Sequence, residues 1–171
     1  MNGYEFYPED GSTLYEEEAW ELSEQARSPW LRLTFAGEYS EGMSPVQIQG
    51  RKYLPMFPAR DGIYTIEQVR EKFLAVFSEE FTDKTLNAAI ASKDLLEYNG
   101  NVYASYKKNR GETSYNSWAD HVRDDGDGKF TVVMGGSMPP NGGTVYVELP
   151  TEKYAAGKFV FTDYPYWDRS E

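Results

Sequence analysis

The chain has 171 residues, of which 40% are hydrophobic and 16% aromatic, a composition that predicts one folded domain and not a disordered chain. Its 28 acidic against 17 basic residues leave a formal net charge of −11, which argues against phosphate backbones and anionic lipid as partners. It has no cysteine, which excludes disulfides, thiol nucleophiles and cysteine-type zinc sites, and no apolar run nears the ~20 residues of a membrane-spanning helix.

The charge is concentrated early. Residues 1–42 hold ten acids and two bases, so eight of the eleven excess negatives lie in this acidic, helical N-terminal segment. Tyr15, Ala19, Leu22 and Ala26 recur at helical spacing and predict a helix over residues 13 to about 27. Glu16, Glu17 and Glu18 fall in its first turn, where the helix dipole favours anions. Pro29 is expected to end or kink it, ahead of an apolar patch of Trp30, Leu31, Leu33 and Phe35.

Residues 43–171 carry the remaining elements. Val46 to Gly50 alternates as a strand, and Arg51 to Met56 reads as its returning partner. Thr65 and Gln68 have capping-box spacing and open a second helix, whose inner stripe is Ile66, Val69, Phe73, Val76 and Phe77. A third helix is expected from about Asp83, capped by Thr82. Asn99-Gly100 between alternating segments predicts a hairpin. Residues 106–116 read as a long polar loop, and strands are expected at Ser117–Val122, Phe130–Met134, Val145–Leu149 and Lys158–Asp163. Gly135-Gly136 and Gly142-Gly143, flanking Pro139-Pro140, read as a long hairpin tip. Helices first and strands later predict an α+β fold, with the N-terminal helices on one face of a curved antiparallel sheet of about four to six strands.

Chemistry-bearing motifs are sparse. His121 is the sole histidine, and Asp120 beside it would point to the opposite face of a regular strand, so a triad is not expected. No Gly-x-Ser-x-Gly elbow and no phosphate-cradling loop occur. Asp124-Asp125-Gly126-Asp127-Gly128 is rich in hard oxygen ligands but lacks the spacing of a calcium-binding loop, and it reads as a turn. No metal or cofactor is expected. Tyr164-Pro165-Tyr166-Trp167 could stack on sugars or finish a core.

Taken in order, several features carry a family resemblance. They are the amphipathic helix Tyr15–Ala26, a strand bearing Tyr53, and the helix-starting segment Tyr64-Thr65-Ile66-Glu67-Gln68-Val69-Arg70-Glu71-Lys72-Phe73-Leu74. Phe77-Ser78-Glu79-Glu80-Phe81-Thr82, the Asn99-Gly100-x-Val102-Tyr103 hairpin, a polar loop with Arg110-Gly111, and Phe159-Val160-Phe161-Thr162-Asp163-Tyr164 follow. The stretch from Tyr53 to Trp167 resembles the IseA-type inhibitors of DL-endopeptidases, secreted proteins of Gram-positive bacteria that restrain cell-wall hydrolases. The resemblance implies a non-enzymatic protein that binds the catalytic domain of a papain-like wall hydrolase and obstructs its active-site groove. It also implies a secreted or cell-surface origin, with a leader no longer attached.

The expectation is therefore an extracellular binding protein, with charge that speeds encounter. Loop residues are the candidate interface: Lys107, Lys108, Arg110 and Glu112, then Asp124, Asp125 and Asp127, then the tip from Ser137 to Asn141 with Met138. A small-ligand module lined by Tyr and Trp is the alternative, and a two-carboxylate hydrolase ranks behind both.

Overall fold

A computed structural model describes residues 13–34, 43–106, 116–138, 143–154 and 158–164. Among them the order is α1 (Glu16–Thr34), β1 (Val46–Ile48), β2 (Arg51–Pro55), a 3-10 turn (Ala59–Asp61), α2 (Ile66–Leu74) and α3 (Glu79–Ala91). Then come β3 (Leu95–Tyr98), β4 (Asn101–Ser105), β5 (Asn116–Gly126), β6 (Lys129–Met138), β7 (Gly143–Tyr154) and β8 (Lys158–Phe161). The class is α+β. The strands do not form one sheet, however. They form two antiparallel four-stranded sheets, ordered β1-β2-β4-β3 and β5-β6-β7-β8.

The chain divides into two compact units, a middle unit of Ser23–Tyr115 and a terminal unit of Met1–Leu22 with Asn116–Glu171. In the middle unit, α1 runs through Pro29 to Thr34, past the expected stop. Proline in a helix interior costs about 3 kcal/mol. Burial of Leu31 and Leu33 offsets it, at roughly 1.5–3 kcal/mol each. Trp30 adds ring contacts with Phe77 at 6.2 Å and Phe81 at 5.8 Å.

Two-residue turns close both hairpins of this sheet, with Gln49-Gly50 and Asn99-Gly100 at positive φ as such turns require. The Thr65–Gln68 capping box forms as expected. The third helix starts earlier than expected, because Ser78 and not Thr82 is its cap. The Ser78 side chain accepts from the Phe81 N–H, while Thr82 is wholly buried inside the helix. A turn of only four residues, Ala75–Ser78, separates α2 from α3, and Arg70 braces the pair through Asp83 at 2.8 Å and Glu79 at 3.4 Å. Helix α2, the four-residue turn, α3 and the β3–β4 hairpin follow in the order of a helix-turn-helix with a wing.

The terminal unit holds the longer strands. Along β6, Phe130, Val132 and Met134 alternate with Thr131, Val133 and Gly135. The first set shares a face with Leu149, Thr151 and Phe161 through cross-strand register, and this face is the core. Phe130 meets Phe159 edge-on at 5.5 Å, and Phe161 meets Tyr164 at 5.6 Å. Strand β7 continues past its expected end at Leu149. Pro150 contributes its carbonyl alone, which accepts from the Thr162 N–H at 2.8 Å. Gly135 and Gly136 are strand residues in β6 and not part of a tip.

Candidate recognition face

The second face of the β5-β6-β7-β8 sheet gathers the functional side chains. Its first cross-strand row is Trp118 on β5, Gly135 on β6 and Tyr146 on β7. The second is His121, Val133 and Glu148, and the third is Arg123, Thr131 and Pro150. Glycine in the middle of the first row has a definite reason. A Cβ at position 135 would come within 2.5 Å of Trp118 Cε2, 2.6 Å of Cζ2 and 2.7 Å of Nε1. The indole therefore lies against the bare backbone of β6, where any side chain would lift it off. Tyr146, across the row, is 60% exposed. An exposed tyrosine beside a backbone-seated tryptophan is an aromatic row that no core requires.

A β-bulge shapes the next row. Register shifts by one residue between Ala119 and His121, so Asp120 is the extra residue. The bulge overturns the expectation that Asp120 and His121 diverge. The Asp120 carboxylate instead accepts from His121 Nδ1 at 2.7 Å. That hydrogen bond, with the Trp118 indole N–H nearby, holds the Asp120 carboxyl below the usual carboxylate range despite some desolvation. The carboxylate thus orients the imidazole of His121. A histidine oriented by a carboxylate supplies two parts of a triad, but among the described residues no hydroxyl bonds to this imidazole.

A second polar cluster borders the aromatic row. Arg123 donates to Asp125 at 2.8 Å, to Glu148 at 3.1 Å and to Thr131 at 3.1 Å. Thr131 in turn donates to Asp125. Its hydroxyl and then Arg123 hold the Asp125 carboxyl below its ordinary value, and the two carboxylates raise that of Arg123. Thr131 and Val133 are buried among these long side chains, so the face presents two aromatic rings and a set of oriented charges.

The expected loop residues fare differently. Asp124 accepts from the Gly126 N–H at 2.9 Å, and Asp127 with Gly128 forms the two-residue turn between β5 and β6, at φ 56° and 76°. The acidic run is therefore a turn, as read. Asp125 alone joins the recognition face. Among the described residues no group of three or more His, Asp or Glu side chains is placed to hold a metal ion. Lys107, Lys108, Arg110 and Glu112 lie outside the described residues, as do positions 139–141 of the tip. For Met138 only the backbone is described, paired with Gly143. Tyr164 is buried in the core, and Pro165, Tyr166 and Trp167 lie outside the described residues.

The helix-turn-helix invites a nucleic-acid reading, since in such motifs the second helix enters the major groove. Here that helix opens on the exposed Glu79 and Glu80, which would repel phosphates. No helix among the described residues is long and apolar enough to cross a membrane. No family model matches the chain, and no curated protein matches it either.

Proposed function

We propose that the protein is a non-enzymatic binding protein whose working surface is the polar face of the β5–β8 sheet. Its partner is the catalytic domain of a cell-wall hydrolase, occluded at its active site, as the resemblance to IseA-type inhibitors implies. The observation that carries the choice of surface is the Trp118–Gly135–Tyr146 row, with the indole seated on a glycine and the phenol exposed beside it. Tryptophan, tyrosine and arginine dominate the energetics of protein interfaces, and here all three stand on one rigid sheet with Arg123 locked by two carboxylates. An extracellular location accompanies this reading.

The test is an inhibition assay of papain-like wall-hydrolase catalytic domains on purified cell wall, with the wild-type chain and with Trp118→Ala and Tyr146→Ala. Wild-type inhibition that weakens about tenfold or more in either variant supports the reading. Inhibition unchanged in both variants contradicts the choice of surface, and no inhibition by the wild type contradicts the function.

A further inference from the structure

We infer that the Trp118–Gly135–Tyr146 row is a saccharide-binding site that takes a neutral glycan chain. This rests on the reading of that face as the working surface and adds a ligand of its own. The backbones of Trp118 and Tyr146 stand two strands apart, about 9.6 Å at the usual strand spacing, and the indole reaches over Gly135 on the strand between, so both rings line the path of one extended chain. Sugar rings have an apolar face of C–H groups and a rim of hydroxyls. A flat indole backed by strand backbone offers the stacking surface for the first. Oriented acceptors at the edge of the row serve the second. Asp120 is held by His121, Glu148 is held by Arg123, and both are hydrogen-bond acceptors that a hydroxyl-rich ligand can donate to.

Charge selects among glycans. Asp120, Asp125 and Glu148 lie beside the row with Arg123, while Lys129, farther along the same face of β6, stands opposite Glu152. A polyanionic glycan would meet these carboxylates, and the whole chain carries −11. Neutral chains pay no such penalty. Preorganisation favours binding too. The indole is seated on Gly135, so little side-chain freedom is lost when a ring stacks on it.

The probes are cellohexaose and the hexamer of N-acetylglucosamine, titrated into the full chain by calorimetry, with a sulfated oligosaccharide alongside. Binding of one neutral hexamer is expected, with none of the sulfated chain. Trp118→Ala and Tyr146→Ala are each expected to weaken it about tenfold or more. Gly135→Ala removes no ring yet is expected to weaken binding comparably, because its methyl displaces the indole. Far-UV circular dichroism confirms that each variant is folded, and Tyr146, being exposed, is the variant least tied to folding. No binding of either neutral hexamer overturns the inference, as does binding that all three variants retain. Capture of a proline-rich peptide by the same residues without any saccharide binding overturns it as well. Hydrolase inhibition that depends on Trp118 while saccharide binding is absent removes this inference alone. Saccharide binding without hydrolase inhibition removes the proposed partner and leaves the site.

Discussion

The two four-stranded sheets differ in what they leave outside. In the middle unit the strands are at most five residues long, and Phe73, Phe77 and Tyr53 are nearly inaccessible, while the exposed Tyr64, Tyr98 and Tyr106 share no cross-strand row. In the terminal unit the strands reach twelve residues, and one face keeps Tyr146 and a set of oriented charges in solvent. A small sheet with short strands supports a helix-turn-helix core. A long sheet has one face left over after its core is filled, and that surplus face carries the binding proposal. The two hairpins of the middle unit and the β5–β6 hairpin close with the same turn chemistry, so the difference comes from strand length and from which residues alternate along the strands.

Several substitutions can break or sharpen this contrast. The largest loss of stability is expected from Phe73→Ala, about 3–5 kcal/mol, because the ring is fully buried and touches Phe77 at 5.5 Å. Chemical denaturation reads it, and a loss below about 1 kcal/mol would mean the middle unit is not organised around this cluster. Gly135→Ala comes next, at about 1–3 kcal/mol from overpacking under the indole, together with a shift in tryptophan emission as Trp118 is displaced. An unchanged spectrum and unchanged stability would contradict the seating of the ring. Thr65→Ala should cost about 1 kcal/mol through loss of the α2 cap, with the recognition face unaffected.

The mildest expected effect is in pH dependence. Asp83, Asp120 and Asp125 all have carboxyl groups held below their ordinary values, chiefly by hydrogen bonds from Arg70, His121 and Thr131 in turn. Such groups contribute stability that is fully present above the ordinary carboxylate pKa of about 3.9, and it is lost as pH falls through the lowered native values. Thermal unfolding midpoints should therefore drop below about pH 4. Asp125→Asn should flatten part of that drop and lower the midpoint slightly at neutral pH. An acid profile identical to the wild type would show that Asp125 does not carry its share.

Much of the local structure was legible in the sequence because it rests on short-range chemistry. The Thr65–Gln68 box, the Asn99-Gly100 turn and the Asp-Gly turn before β6 each need only neighbouring residues, whereas Gln49-Gly50, which alternates like a strand, is a turn. The α1 stripe was legible too, with Ala19, Leu22 and Ala26 buried. Pro29 misled because distant aromatics and buried leucines outweigh its helix penalty. The division of the strands into two sheets depends on long-range pairing that no local pattern encodes. For the candidate face, loops drew the attention, whereas the residues that meet lie on strands. Trp118, Gly135 and Tyr146 are 17 and 11 positions apart in sequence and become neighbours only through register. The bulge at Asp120 is likewise invisible to a strict two-residue period. Gly135 reads as part of a tip, and its place inside β6, where an indole approaches the backbone closely, emerges only from the long-range pairing.

The central claim is that recognition belongs to the polar face of the terminal sheet. Amide hydrogen exchange of the full chain, alone and with a saturating papain-like wall-hydrolase catalytic domain, tests it most directly. The account predicts slowed exchange in residues 118–123 and 143–149, with residues 66–105 of the middle unit unchanged. Protection confined to the helix-turn-helix and its wing, with β5 and β7 unchanged, would contradict it.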